Sequence, residues 1–140
     1  MSLLSRKGLL AIAAVVDVAV NGREHPVSAR NLAARHDLPP RHLEPVLQAL
    51  VHQGIFQGVR GPRGGYQLSR ERKRISVADI LRAAGSVEDT ESAMPKSRIL
   101  GAVVLPAIAD AERSFGALLA RLTVEELARR AETLGERGAR

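Results

Sequence analysis

With 140 residues, the chain is long enough for one main hydrophobic core and an additional helical element, and too short for two large independent domains. Hydrophobic residues make up 45% of it but aromatic residues only 2%, so we expect a mainly helical fold with a core of Leu, Val, Ile and Ala. The sequence contains no cysteine, which excludes disulfides, thiolate-bound metals and cysteine nucleophiles.

The net charge of +6 is concentrated in the first part of the chain. Residues 1–85 contain 13 Lys or Arg against 6 Asp or Glu, a net charge of +7, whereas residues 86–140 contain 8 against 9, a net charge of −1. This asymmetry indicates a polyanion-binding module followed by a region with another task. A solvated basic surface in an arginine-rich protein would give the same balance.

The first apolar stretch, residues 9–20, has the features of neither a leader peptide nor a membrane span. It contains Asp17, it is too short to cross a bilayer, and it ends in Asn21-Gly22-Arg23 rather than in the small residues of a cleavage site. We therefore expect a soluble cytoplasmic protein without membrane contact.

The first three predicted elements are helices. Ser5 caps a buried helix over residues 5–20, and Ser28 caps a short helix over residues 29–36. A proline-containing turn then leads to a third helix over residues 41–53, and Gly54 fits the left-handed position that follows a helix. The third helix has one apolar face, formed by Leu43, Val46, Leu47 and Leu50.

The hydrophobic period then changes from that of a helix to that of a strand. Residues 55–59 and 66–68 are predicted strands, and the connecting segment Arg60-Gly61-Pro62-Arg63-Gly64-Gly65 is a turn with an arginine at its tip. Ser76 and Asp79 have the spacing of a capping box, which predicts a fourth helix that ends near Ala84-Gly85.

The last third of the chain is predicted to be a linker followed by helices. Residues 85–96 are acidic and without apolar periodicity, and a long helical pattern begins at Ser97, in which Pro106 should kink or interrupt the helix. Thr123 and Glu126 form a capping box for a last helix to about Leu134. A helix-pairing seam repeats every three or four residues, and it consists of Val104, Ile108, Ala111, Phe115, Leu118 and Leu122.

Three short helices followed at once by a two-stranded hairpin is the element order of a winged helix-turn-helix. We therefore predict a mainly α fold in which this head (three helices plus a two-stranded β wing) is joined to a long C-terminal dimerisation helix. The predicted division is a DNA-binding domain over residues 1–84, a linker over 85–96, a helical dimerisation region over 97–134 and a frayed tail over 135–140. The alternative is that the apolar seam packs inside a single chain as part of its core and does not pair two chains.

The predicted DNA-binding surface follows from what each groove of the duplex accepts. The first turn of a helix in the major groove needs side chains that reach base edges, and Arg41, His42 and Glu44 meet this need. Arg63, at a glycine-rich wing tip, suits a narrow minor groove, while Arg60, Lys7 and Arg6 would neutralise phosphates. The complete set of candidate DNA contacts is Ser5, Arg6, Lys7, Ser28, Arg41, His42, Glu44, Gln48, Arg60, Pro62, Arg63 and Gly64.

These residues carry a family resemblance. The sequence resembles the Rrf family of winged-helix transcriptional regulators, of the IscR, NsrR and CymR type. The similarity lies in Leu43-Glu44, in Gly54, in the run from Val59 through Arg60-Gly61-Pro62-Arg63-Gly64-Gly65-Tyr66 to Leu68, and in Ile75-Ser76-Val77. The similarity extends from Leu3 through the seam helix. It implies that Glu44 and the wing arginines contact bases or grooves, and that the long C-terminal helix pairs two subunits.

The chain departs from the members of that family that sense iron, redox state or nitric oxide. Those members hold an iron-sulfur cluster with three cysteines in the segment that matches residues 86–106, and this chain has no cysteine. We therefore expect no such cluster and no cofactor. We also expect no metal site, because the four histidines lack metal-binding spacing and the acidic residues Glu88, Asp89 and Glu91 are typical of a solvated loop.

The sequence also lacks a nucleophile motif, a phosphate-binding glycine loop and paired carboxylates in an apolar setting, so we expect no enzyme. The favoured function is a sequence-specific transcriptional regulator, acting as a repressor and as a homodimer on a two-fold symmetric operator. Residues 85–106 would carry the signal of an unknown effector or protein partner. The alternatives are a protein-interaction dimer with residual DNA binding and a nonspecific DNA binder.

Overall fold

A computed structural model describes residues 4–85 and 97–138, with side chains as far as Gly135. The head contains α1 (Arg6–Asn21), α2 (Ala29–Arg35), α3 (Pro40–His52), β1 (Phe56–Val59), β2 (Gly65–Leu68), a 3₁₀ turn (Arg72–Arg74) and α4 (Val77–Ala84). A π-helical segment (Leu100–Val104), α5 (Leu105–Arg121) and α6 (Val124–Gly138) follow. In these two ranges, none of the helices combines the length and hydrophobicity needed to cross a bilayer.

The core lies where α1 meets α3, α4 and α6. Ala11, Ala14 and Val15 of α1 are fully buried, which explains the nearly all-round apolar sequence of this helix. The predicted apolar face of α3 supplies Leu43, Val46, Leu47 and Leu50 to the same core, and Phe56 is its largest buried side chain. Apart from Phe56, the buried hydrophobic residues of the core are aliphatic, as the composition predicts.

Side chains predicted as helix caps occupy those positions. The Ser5 hydroxyl accepts a hydrogen bond from the Gly8 amide at 3.0 Å, and the Ser28 hydroxyl accepts one from the Asn31 amide at 3.0 Å. At α4, Ser76 and Asp79 form the complete capping box, with both hydrogen bonds at 3.0 Å. The predicted starts of these helices are therefore confirmed to within one residue.

The predicted hairpin is a two-stranded antiparallel sheet in which Phe56 pairs with Leu68 and Val59 with Gly65. The sequence analysis did not predict that the segment before α2 joins this sheet through an isolated bridge between Val27 and Tyr66. A side chain at residue 65 would overlap the Val27 carbonyl, so glycine is required where the wing meets this bridge. The wing is thereby attached to the helix-turn-helix.

Pro106 changes the type of the helix instead of ending it. A proline lacks the N–H that an α-helix needs at this position, and its ring clashes with the carbonyl four residues earlier. The preceding turn widens into the π segment, where the Leu105 amide donates to the Leu100 carbonyl. Helical backbone thus continues through Val104 and Leu105 into α5.

The last helix differs from its sequence prediction in position and in length. The sequence analysis grouped residues 123–134 with a dimerisation region, but Val124 and Ala128 are fully buried in the core of the head. Thr123 caps α6 as predicted, accepting from the Glu126 amide at 3.3 Å. The helix extends to Gly138, four residues past the predicted end near Leu134.

Candidate nucleic-acid interface

The starts of α1 and α3 lie side by side and form a basic cleft. This cleft has a volume of about 470 Å³, and it is lined by Arg6, Lys7, Leu10, Leu38, Arg41, His42 and Pro45. Two of the predicted phosphate-binding residues on α1 therefore lie next to the two residues that begin the predicted recognition helix. The apolar floor and basic rim suit the deoxyribose and phosphate groups of one strand.

The middle of α3 faces the strands of the wing across a second concavity. Gln48 and Val51 of α3 line it together with Gly58, Val59, Arg60, Gly65 and Tyr66 of the hairpin. Its volume is about 350 Å³. The structure thus brings Gln48 and Arg60 to the same surface, although they lie on different elements.

The wing tip lies beside the start of α2 and forms a third concavity, of about 310 Å³. Ser28 and the tip residues Pro62, Arg63 and Gly64 line it, as predicted contacts. It is also lined by His25, Pro26 and Asn31, which the sequence analysis did not select. The sequence could have indicated Asn31 as a candidate contact, because it lies in the first turn of the helix that Ser28 caps. His25 lies in the connector before α2, where no sequence pattern indicates a contact.

Four arginines of the predicted interface have no carboxylate partner among the described residues. Within residues 4–85 and 97–135, Arg6, Arg41, Arg60 and Arg63 take part in no ion pair. In the same ranges, Arg23 and Arg30 of the head and Arg98 and Arg121 beside the long helix are likewise unpaired, whereas Arg35, Arg70, Arg72, Arg74 and Arg82 each lie within 4.0 Å of a carboxylate. An unpaired exposed guanidinium is available to a phosphate without first breaking a protein contact.

The two predicted serine contacts combine capping with exposure of a helix start. The hydroxyls of Ser5 and Ser28 accept the capping hydrogen bonds described above, so each has its O–H available as a donor. Both helices also present the positive end of their dipole at these residues. The geometry allows each serine to donate to a phosphate at the end of a helix, as the sequence-based hypothesis requires.

Glu44 lies on the exposed side of α3 and faces the wing. Burial raises the pKa of the Tyr66 hydroxyl above its ordinary value, and the negative charge of Glu44 raises this pKa further. The Tyr66 ring also packs against Phe56, with ring centroids 5.8 Å apart. Tyr66 therefore lies where the wing meets the core, close to Glu44, the carboxylate predicted to contact a DNA base.

A buried carboxylate on α1 fixes the helix-turn-helix. Asp17 Oδ1 accepts hydrogen bonds from Arg35 Nη2 at 2.7 Å and Asn21 at 3.1 Å, and Oδ2 accepts one from Arg35 Nε at 2.9 Å and lies 2.9 Å from His36 Nε2. Burial alone would raise the pKa of Asp17, but the hydrogen bonds and charge of Arg35, with Asn21 and His36, lower it. The cluster joins α1 to the end of α2, directly before the left-handed Asp37 that starts the turn to α3.

The predicted dimerisation seam lies along the least buried helix of the described chain. Val104, Ile108, Ala111 and Leu118 are exposed, and Phe115 is half-buried. Leu122 lies just outside α5, where the backbone becomes extended, so the seam in α5 itself ends at Leu118. This exposed apolar face is the surface the sequence analysis assigned to helix pairing.

The family model "Rrf2: Iron-dependent Transcriptional regulator" matches residues 4–130. This chain belongs to the Rrf2 family. Over 134 residues, covering 94% of this chain and 82% of the relative, it is 30% identical to the HTH-type transcriptional regulator IscR of Xenorhabdus nematophila. Membership of the Rrf2 family confirms the expected winged helix-turn-helix fold. It also confirms the expected function, a DNA-binding regulator of transcription and not an enzyme.

Solved structures of Rrf2 relatives have the same architecture. The structure of T. potens IscR superposes with a TM-score of 0.74 at 28% identity, covering 95% of this chain and 90% of that one. CymR, the global cysteine regulator of B. subtilis, superposes with a TM-score of 0.69 at 26% identity, covering 92% and 98%.

The Rrf2 model is described as iron-dependent, but this chain departs from cluster-binding members in composition. It has no cysteine at any position. In residues 4–85 and 97–135, no three His, Asp or Glu side chains lie together as metal ligands. Glu88, Asp89 and Glu91 of the predicted solvated loop fall outside the described residues.

Proposed function

We propose that this Rrf2 protein represses transcription as a homodimer bound to a two-fold symmetric operator. The observation that carries the DNA-binding half of the proposal is the set of unpaired arginines on three elements, Arg41 on α3, Arg60 and Arg63 on the wing and Arg6 on α1. Arg6, Arg41 and Arg60 line concavities formed with α3, the element that a major groove accepts, and Arg63 lies at the wing tip beside α2.

Each element has a proposed role set by its chemistry. Arg41 would donate two hydrogen bonds to a guanine, and Glu44 would accept one from a cytosine amino group. Arg63 would enter a narrow minor groove, and Arg6, Lys7 and Arg60 would bind phosphates. A promoter occupied in this way excludes the polymerase, which is why we propose repression, in the cytoplasm where the DNA is found.

The homodimer half rests on exposed apolar residues of the π segment and α5, and on Ile99 directly before them. Ile99 is 69% exposed, Val103 61%, Ile108 50% and Leu118 64%. Exposed apolar residues in such number along one helix are costly in water and are typical of an interface between chains. A pair of such helices would place two heads about 34 Å apart, one turn of DNA.

We propose that the protein works without an iron-sulfur cluster, because the thiolates that would hold one are missing from its sequence. Its signal is then a different effector or a protein partner, acting through residues 85–106, which connect the head with the long helix.

The DNA-binding proposal is tested by Arg63→Ala in a mobility-shift assay against the protein's own upstream region at fixed salt. We expect a loss of about 1 to 3 kcal/mol in affinity. Arg130→Ala is the matched control, because this exposed arginine pairs with Glu126 within α6 and lies outside the proposed surface. Unchanged binding by Arg63→Ala would remove the wing from the proposal.

The dimer proposal is tested by sedimentation of Ile108→Glu, with Ala117→Glu as the control on the opposite side of α5. We expect the first variant to be monomeric and the second to remain dimeric. A wild-type monomer would contradict the homodimer. A dimer without affinity for DNA would favour a protein-interaction module, and equal affinity for random duplex would favour a nonspecific binder.

A further inference from the structure

The long helix and the head are joined by a short β-like contact. The Val77 amide donates to the Leu122 carbonyl at 2.8 Å, and the Val124 amide donates to the Ile75 carbonyl at 2.8 Å, so that Ser76 and Thr123 form an isolated bridge. Ile75 and Ser76 lie between the 3₁₀ turn and α4, which begins at Val77, and Leu122 and Thr123 lie between α5 and α6, which begins at Val124. We call this contact the joint.

Arg72 lies beside the joint and is the most connected arginine of the described chain. Its Nε donates to Glu125 at 2.7 Å, and its Nη1 and Nη2 donate to the two carboxylate oxygens of Glu132 at 3.2 Å each. Nη1 also lies 3.4 Å from the Ala19 carbonyl of α1. Only 12% of the Arg72 side chain is exposed.

This arrangement connects three parts of the fold through one guanidinium. Arg72 begins the 3₁₀ turn that follows the second wing strand, its two carboxylate partners lie about two turns apart on α6, and Ala19 lies on α1. The bidentate pairing with Glu132 fixes the plane of the guanidinium as well as its distance. The pKa of Glu132 and that of Glu125 are both lowered, chiefly by hydrogen bonds from Arg72 and Arg129 respectively.

We propose that Arg72 is a positioning residue: by tying α6 to the 3₁₀ turn and α1, it fixes the joint at which α5 ends, and through the joint it sets the angle of α5 to the head and the half-site spacing that the dimer accepts. This inference rests on the proposed homodimer. α5 has 17 residues and is about 25 Å long at 1.5 Å per residue. A rotation of about 10° at the joint would move its far end by about 4 Å, more than the rise of one base pair at about 3.4 Å.

The test compares the spacing preference of wild-type protein and Arg72→Gln. A duplex selected from a random library by the wild-type protein is rebuilt with one or two base pairs added or removed between its half-sites, and Kd is measured for each duplex and for a single half-site. We expect Arg72→Gln to bind the original spacing about tenfold more weakly, a loss of about 1.4 kcal/mol. Its affinity for the altered spacings and for the half-site should stay within about twofold of wild type.

Arg129→Gln is the matched control. Arg129 also binds Glu125, at 2.6 Å, but both residues lie on α6, so this ion pair does not connect α6 to the head. The control should keep the wild-type spacing profile. Glu132→Gln, which removes the charge from the half-exposed end of the same contact, provides a second variant in case Arg72→Gln unfolds.

The outcomes separate this inference from the proposed function. A wild-type protein that does not discriminate between spacings would refute the two-fold dimer, and with it this inference. A wild-type preference that persists unchanged in both Arg72→Gln and Glu132→Gln would refute the role of Arg72 alone. An equal loss of affinity for every duplex, half-site included, would make Arg72 a stabiliser of the head and would also refute the positioning role.

Discussion

Replacement of Asp17 by asparagine should destabilise the head because it breaks a buried ion pair while preserving side-chain volume. Asp17 is 6% exposed and accepts hydrogen bonds from Arg35 and Asn21 with His36 at 2.9 Å. Breaking a buried pair costs about 3 to 5 kcal/mol. Arg35 is 43% exposed and regains part of its hydration, so we expect a loss of about 2 to 3 kcal/mol in the free energy of unfolding.

Urea unfolding at pH 7, followed by circular dichroism at fixed protein concentration, measures this loss. With a slope of about 2 to 3 kcal/mol per molar, the midpoint should fall by about 1 M. Asp110→Asn is the matched control, because Asp110 pairs with Arg113 on the exposed surface of α5 and should cost less than about 0.5 kcal/mol. A loss for Asp17→Asn no larger than that of the control would refute the reasoning.

The pH dependence of the stability of the same variant provides a second test of the role of Asp17. The folded-state pKa of Asp17 lies below its ordinary value, since the lowering by its hydrogen bonds and Arg35 outweighs the raising by burial. The stabilisation is therefore present above about pH 4 and is lost as pH falls through the lowered pKa. The difference between wild type and Asp17→Asn should shrink below about pH 4. A difference that grows below about pH 4 would contradict this sign.

Three further predictions follow from the core, the wing and the basic cleft. Leu47→Ala should cost about 2 to 5 kcal/mol of unfolding free energy in urea titrations, because Leu47 is fully buried, and a cost below about 1 kcal/mol would contradict its place in the core. Gly65→Ala should cost about 1 to 3 kcal/mol, because its methyl would overlap the Val27 carbonyl, whereas Gly58→Ala, with open space at the same strand pair, should cost less than 1 kcal/mol. Arg6→Gln should reduce the slope of log affinity against log salt by about 1 for every duplex sequence, and a sequence-dependent loss would argue for a base contact instead.

Sequence reasoning predicted the elements whose signals are local. Ser5, Ser28 and the Ser76 capping box each involve residues three apart, so their hydrogen bonds are readable from spacing alone. The wing is similarly local, since its register depends on two strands and one glycine-rich turn. These elements were also enough to place the predicted DNA contacts on the exposed side of the head.

The features that sequence reasoning missed join residues far apart in the chain. The hydrogen bonds between Asp17 and Arg35 span 18 residues, and those between Arg72 and Glu132 span 60. The buried position of Val124 was missed for the same reason, because an apolar residue at the start of an amphipathic helix has the same pattern whether it faces its own head or a second chain. Pattern gives the face of a helix, and only packing gives its partner.

The pairing state of the arginines therefore carries information that the net charge does not. In the sequence, Arg72 belongs to the most basic run of the chain and would be a natural candidate for DNA binding, yet in the fold two carboxylates of α6 neutralise it. Arg41 and Arg63 belong to no such run, and they are exposed and unpaired. Since phosphate binding requires a cation whose charge is not already satisfied, Arg41 and Arg63 are better candidates for DNA contact than Arg72, which connects the head to the last helix.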